Sequence, residues 1–243
     1  MKLAFISDIH GNICGLVEVL RAIDKIGGVD KLIVAGDVLT ASSGTNDLME
    51  LLTEREAEFI RGNIEEILYD LEGSLPKVPE RFHRYAMVWQ RWLRQRLSTE
   101  NWKLLTEGPL CRTYELDGRH RVLACHATPK NSWERVCGAG VAMERLQSEY
   151  AAYDVDIIAY GHYHEHHVIP LDGKLLVNVA SVGLVMHGFC SFTIIESVYD
   201  NLIVRQFSVP YDTEQEERLN RENAAPIFEE LVEKPDSAGN DNS

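Results

Sequence analysis

The sequence predicts an α/β fold whose first half is a parallel sheet and whose second half is mostly antiparallel. Two observations carry this. Over the first 60 or so residues, short apolar runs alternate with segments of helical periodicity, and that alternation implies parallel strands joined by right-handed crossovers. After residue 110 the apolar runs meet instead at Asp117-Gly118 and Asp172-Gly173, which are hairpin signals.

The chain opens with the apolar run Leu3-Ala4-Phe5-Ile6, turns at Gly11, and continues as an amphipathic helix over residues 13 to 26. Between strand and helix lies Ser7-Asp8-Ile9-His10-Gly11-Asn12. In extended backbone, residues i and i+2 point to one side, so Asp8 and His10 can converge on one ion. Lys31 to Ala35 forms the second strand and ends in Gly36-Asp37. A loop rich in Ser, Gly and Thr leads to a helix over residues 46 to 56. A third strand over residues 57 to 60 ends in Gly62-Asn63. Open sheets of this kind gather ligands beyond the carboxyl ends of their strands. Asp8, His10, Asp37 and Asn63 all fall there.

Residues 64 to 106 break the rhythm. Phe82, Tyr85, Ala86, Trp89 and Leu93 recur at helical spacing, and Arg84, Arg91 and Arg94 lie largely off that stripe. Ser98 caps a second short helix, which Gly108-Pro109 stops. This is a helical insertion over or beside the site, spanning about 66–108. Its arginines read as a solvated face, and Trp89, Trp92 and Trp102 as packing.

Beyond the first hairpin a strand runs into Cys125-His126-Ala127, and a helix follows over residues 141 to 150. The apolar strand Asp156 to Tyr160 ends in Gly161-His162-Tyr163-His164. Strands over residues 168 to 171, 174 to 177, 189 to 195 and 202 to 209 complete the fold.

Composition narrows the function. Nothing approaches the apolar length of a membrane span, and the N-terminal apolar run is too short for a signal peptide. Five cysteines without a CxxC pair predict free thiols and a cytoplasmic protein. A net charge of −14 argues against general affinity for nucleic acid. Residues 212–243 hold ten acidic against three basic residues and predict an acidic, partly disordered, solubilising tail after a domain over 1–211.

The polar residues at strand ends are Asp8, His10, Asp37, Asn63, His126, His162 and His164. Seven such donors suit two metals if one carboxylate bridges, and metals about 3.5–4 Å apart are a known hydrolytic arrangement. Asp8-Ile-His10, Gly36-Asp37, Gly62-Asn63, His126 and Gly161-His-Tyr-His164 resemble, in identity, order and spacing, the calcineurin-like metallophosphoesterases. The similarity runs from about residue 1 to 209 and is nearest to the compact bacterial and archaeal phosphodiesterases with a helical insertion.

That resemblance implies a two-sheet α/β/β/α sandwich. It implies that Asp8, His10 and His164 hold one divalent metal, that Asn63, His126 and His162 hold another, and that Asp37 bridges. Manganese is the first choice of ion, and iron, cobalt, nickel or zinc would also be accepted. The implied chemistry is in-line attack on a small phosphorylated substrate, a phosphodiester or nucleotide, by a metal-bridging hydroxide, with no covalent protein intermediate. The family's Asn-Pro-Gly-Ser loop has its counterpart in Asn178-Val-Ala-Ser181-Val-Gly183.

One departure matters. The family's third motif carries a histidine after Gly-Asn, which can protonate the leaving group; here the stretch is Gly62-Asn63-Ile64-Glu65. General acid catalysis contributes about 10²–10⁴-fold, so simple monoesters should be poorer substrates than diesters. His166, His167 and His187 are candidate substitutes. The alternative is a metal-binding scaffold of low or no activity, as in a retromer subunit of this fold. The negative charge disfavours a nuclease.

Overall fold

The computed structural model describes residues 1–137, 141–184, 188–199 and 201–226, and its first strand already shows the plan of the molecule. In β1 (Lys2–Ile6) successive side chains face opposite ways. Leu3 and Phe5 enter one buried cluster, whereas Ala4 and Ile6 enter another. A strand buried on both faces needs an unbroken apolar run, which is what Leu3 to Ile6 supplies.

β1 pairs in parallel with β2 (Lys31–Val34), and β2 with β3 (Glu58–Phe59). The crossovers are α1 (Ile13–Lys25) and α2 (Asn46–Glu54). On its other side β1 pairs antiparallel with β9 (Phe189–Val198), which pairs with β10 (Asn201–Pro210). A second five-stranded sheet holds β4 (Cys111–Leu116), β5 (His120–Cys125), β6 (Ile157–Tyr160), β7 (His166–Leu171) and β8 (Lys174–Val179), in the order β4-β5-β6-β8-β7.

The two sheets meet through Leu3, Phe5 and Ile33 on one side and Val122, Ala159 and Val177 on the other. The outer face of the first sheet is covered by Leu16, Val19 and Leu20 of α1 and Leu48 and Leu52 of α2. Leu146 and Tyr150 of α7 (Met143–Tyr150) cover Leu123, Ile158 and Tyr160 on the outer face of the second. The layers are α/β/β/α, as the resemblance implied.

Several local expectations change. The second half is mostly antiparallel, as expected, but β5, β6 and β8 run parallel through the centre of their sheet. Hairpin signals are visible in sequence because Asp117 and Gly118, and Asp172 and Gly173, all sit at positive φ. Parallel pairing has no such local mark. The third strand is two residues long rather than four; the Ile60 N–H still reaches the Val34 carbonyl (2.9 Å), and the Arg61 N–H after it turns away to the Pro109 carbonyl (2.8 Å). The helix expected from residue 141 begins at Met143, and α2 ends two residues early, before Glu56 at φ 52°.

Between β3 and β4 lie α3 (Asn63–Tyr69), α4 (Leu71–Ser74), two 3₁₀ turns, α5 (His83–Arg94) and α6 (Thr99–Thr106). α5 buries Ala86, Trp89, Trp92 and Leu93 and leaves Arg84, Arg91 and Arg94 exposed. Arg94 stacks over the Trp102 ring at 4.2 Å, and the Ser98 hydroxyl accepts the Asn101 N–H (3.1 Å). After β10 comes α8 (Thr213–Glu222), inside the stretch read as an acidic tail. Residues 227–243 of that stretch, and His187, lie outside the described residues. No helix among the described residues is long and apolar enough to cross a membrane.

Candidate metal centre

All seven strand-end residues meet where the carboxyl ends of β1, β2, β3, β5 and β6 converge, across both sheets. The loops after β1 and β2 are laced together by main-chain bonds, Asp8 N–H to the Gly36 carbonyl and His10 N–H to the Asp37 carbonyl, both 3.0 Å. Asp8, His10, Asp37, His162 and His164 all have positive φ, from 49° to 68°. Non-glycine residues adopt that backbone at a cost, and clusters of such strain mark functional sites.

Two groups form. In the first, His164 Nε2 lies 3.1 Å from Asp8 Oδ1, His10 Nε2 3.8 Å from the same oxygen, and the two imidazole nitrogens 3.4 Å apart. In the second, His126 Nε2 faces Asp37 Oδ1 at 3.4 Å, Asn63 Oδ1 at 3.0 Å and His162 Nδ1 at 3.2 Å. Asp37 stands between them, with Oδ1 toward His126 and Oδ2 3.9 Å from His10 Nε2.

The surroundings decide which atoms face the centre. His126 Nδ1–H donates to the Ala35 carbonyl (2.8 Å), which turns Nε2 inward. Asp8 Oδ2 accepts the His162 N–H (2.9 Å), so Oδ1 is the oxygen left for the cluster. The Ser181 hydroxyl donates to the Asp8 carbonyl, and Asn178 Nδ2 to the Gly161 carbonyl, both at 2.7 Å. The segment 178–183 thus steadies the ends of β1 and β6 from behind.

Glycine is required where the strand ends come closest. A Cβ at Gly36, which has φ 89°, would lie 2.5 Å from His126 Nδ1, and one at Gly62 would lie 2.3 Å from Asp37 Oδ1. Neither approach tolerates a side chain.

Electrostatics separates the donors. Burial alone would raise the Asp8 carboxyl, yet His126, His164 and His10 hold it well below the ordinary range. Burial lowers His10, and it drives His162 down to about 4 with help from the positive His126. Burial also disfavours charge on His126, but Asp37 and Asp8 outweigh it and push the ring up to about 10. Ionised carboxylates, unprotonated imidazoles at His10 and His162, and ring nitrogens facing one another form a donor set that needs positive charge at its centre. Oxygen and imidazole donors in two groups, each with its ligand atoms within 4.8 Å of one another, fit divalent transition-metal ions.

One residue that supports the centre is not singled out in the sequence. Glu65, buried in α3, accepts the N–H groups of Asp37 (2.9 Å), Val38 (2.8 Å) and Gly62 (2.8 Å). Burial, then the Asp37 charge, lifts its carboxyl to about 7, against the pull of those N–H groups. A glutamate at the third helical position reaching back to the cap is a legible signal, though its reach to the neighbouring loop is not. Ile64 contributes its N–H to Asp37 Oδ1 (2.9 Å) and no titratable group. Of the candidate substitute acids, His167 is hydrogen-bonded to the Tyr160 hydroxyl and His166 to the Phe207 carbonyl (3.3 Å), so both are engaged on β7.

Comparison with known proteins bears on the family and the fold. The family profile described as the calcineurin-like phosphoesterase superfamily domain matches residues 1–198. Among solved structures, a metallophosphoesterase from Sphaerobacter thermophilus superposes with TM-score 0.68 at 21% identity, covering 96% of this chain and 97% of that one. A hypothetical protein from Pyrococcus horikoshii gives TM-score 0.76 at 13% identity, over 95% and 97% of the two chains. A protein described as a novel archaeal phosphodiesterase gives 0.50 at 15% identity, over 86% of this chain and all of that one. At these identities the likeness is one of fold. No curated protein sequence matches. The family profile covers most of the chain and includes every residue of the centre, so this chain belongs to the calcineurin-like phosphoesterase superfamily.

Proposed function

We propose that the protein is a metal-dependent phosphodiesterase with two divalent cations, manganese first among the candidates. Asp8, His10 and His164 would hold one ion and Asn63, His126 and His162 the other, with Asp37 between them. Such a pair, when bound, supplies an activated water and neutralises charge on the phosphate. The observation that carries the proposal is Asp37, whose two oxygens divide between the groups, 3.4 Å from His126 and 3.9 Å from His10.

The chain's own residues then set the substrate preference. His126 is held in one tautomer by Ala35, and Glu65 fixes the main chain on both sides of Asp37. Ile64 occupies the place from which a proton would be given to the leaving group. Departing groups that are already stable as anions are therefore favoured, and diesters with such groups above simple monoesters. Five cysteines, all free among the described residues, support a cytoplasmic setting. We place the catalytic domain at residues 1–211, with the insertion at 66–108 and the acidic extension at 212–243.

The test is metal content together with hydrolysis of bis(p-nitrophenyl) phosphate and of an alkyl phosphomonoester, with manganese, in wild type and Ile64→His. We expect two metals per chain and diester turnover well above monoester turnover. Ile64→His should raise the alkyl monoester rate, by up to about 10²-fold, more than the aryl diester rate. Two bound metals with no turnover of either ester would instead favour an interaction scaffold.

A further inference from the structure

The carboxyl end of β5 carries a thiol that the centre does not use. Cys125 is fully buried and directly precedes His126. Its register partner across the β4–β5 ladder is Cys111, and both are free thiols. Cys111 is half-buried and lies on β4, an edge strand of the second sheet. The two side chains share one face, among Leu123, Leu146 and Tyr150 of the outer layer.

The ladder sets the distance between them. Arg121 gives its N–H to Asp156 Oδ2 (2.8 Å) and accepts the Asp156 N–H on its carbonyl (2.9 Å), so its main chain points away from β4. Main-chain direction alternates along a regular ladder, and the register is unbroken from Arg121 to Cys125. Cys125 therefore points away from β4 as well, and Cys111–Cys125 is a non-hydrogen-bonded pair. The Cα atoms of such pairs stand about 4.5 Å apart. A disulfide accepts about 4.4–6.8 Å and favours about 5.5–6 Å, so this pair can close where it stands and relaxes by moving apart about 1 Å. Cys137 is less well placed, since it lies outside the ladder and its sulfur contacts the Tyr150 hydroxyl (3.1 Å). Among the described residues the three sulfurs are not one of the groups close enough to hold a metal ion.

We infer that Cys111 and Cys125 form a reversible disulfide site whose closure weakens the metal group containing His126. The oxidant is a low-molecular-weight disulfide such as oxidised glutathione. The Cys111 thiolate attacks one of its sulfurs and releases a glutathione thiolate. The Cys125 thiolate then attacks the Cys111 sulfur and releases the second. Two protein thiols are oxidised, one glutathione disulfide is reduced, and the two thiol protons end on the released glutathione. Burial raises the Cys111 thiol, so the first step is slow at neutral pH and faster above it. A bridge at the short end of the range is strained and is readily reduced again. Relief of that strain moves the end of β5, and His126 with it, whereas donors need placing within about 0.5 Å. The coupling rests on the proposed role of His126 as a metal donor; the thiol pair does not.

Two measurements test this. The full chain, stripped of metal, is equilibrated with oxidised and reduced glutathione above neutral pH, alkylated, and digested with trypsin without reduction. Trypsin places Cys111, Cys125 and Cys137 on separate peptides. Mass spectrometry should find the peptides ending at Arg112 and Lys130 joined in wild type and in Cys137→Ser, but not in Cys111→Ser, and parted by dithiothreitol. Calorimetric titration with manganese then compares oxidised protein with protein reduced again and freed of reductant. We expect binding about tenfold weaker in the oxidised form, restored on reduction, and unchanged in Cys111→Ser after the same oxidation. Absence of the Cys111–Cys125 link at every glutathione ratio, or a link through Cys137 instead, would overturn the disulfide site. A link that leaves manganese affinity unchanged would overturn its coupling to the centre. Reduced protein that binds no manganese would overturn the proposed metal centre and the coupling with it, while the peptide map alone decides the thiol pair.

Discussion

Glu65 acts on main chain rather than on a neighbouring side chain. Its carboxylate gathers three N–H groups from two loops, and one of those donors is Asp37 itself. Glu65→Ala should leave those buried donors without partners and cost about 2–4 kcal/mol in stability, read by urea denaturation. The same change should weaken manganese binding about 10–100-fold by calorimetry, because residues that orient ligands matter nearly as much as ligands. Unchanged manganese affinity would remove Glu65 from that positioning role. The seven strand-end residues were legible because each is a polar side chain directly after an apolar run. The part played by Glu65 was legible only in its contact with Gly62; its bonds to Asp37 and Val38 span 28 and 27 residues, where local pattern is silent.

At the scale of elements, α5 and α8 make a contrast. The stripe of α5 shows in sequence because apolar residues at helical spacing imply a buried face. α8 carries little apolar content, and its anchor is an acid: Glu216 is 6% exposed. The partners of Glu216 are at the start of α1 and in the loop before α2, 173 to 202 residues away. Acidic residues at a chain end ordinarily indicate solvation, so its burial had no sequence mark. Glu216→Ala should destabilise the protein by about 1–3 kcal/mol, since the Cys14 N–H and two serine hydroxyls would lose their acceptor. Thermal melting followed by circular dichroism reads this, and an unchanged midpoint would show that α8 is held by other contacts.

Across the whole molecule, one carboxylate ties the margins of the two sheets. Glu58 on β3 pairs with Lys31 on β2, and it accepts from Arg112 (2.5 Å) and the Tyr114 hydroxyl (3.1 Å) on β4. Burial alone would raise this carboxyl, but Lys31, Arg112 and Tyr114 hold it below its ordinary 4.5. A depressed folded value means that the stabilisation is complete above the unfolded value and is lost as pH falls through the folded one. Glu58→Gln should therefore cost about 1 kcal/mol at pH 7 and less at a pH well below 4.5, compared by urea denaturation at both. An equal difference at the two pH values would contradict the ionic account. The two-sheet plan was implied by the family resemblance, while the parallel centre of the second sheet, β5-β6-β8, has no sequence mark as clear as an Asp-Gly turn.

Each donor group draws on both sheets: Asp8 and His10 face His164, and Asp37 faces His126 and His162. The apolar layer between the sheets, with Phe5 against the edge of the Tyr114 ring at 6.4 Å, therefore acts as a gauge block for the centre. Stacked sheets sit about 10 Å apart because side chains of a given size fill the gap. Thickening or thinning that filling would open or close the jaws that hold the donors. Core residues far from the donors thus help set the spacing at which the donors of each group face one another.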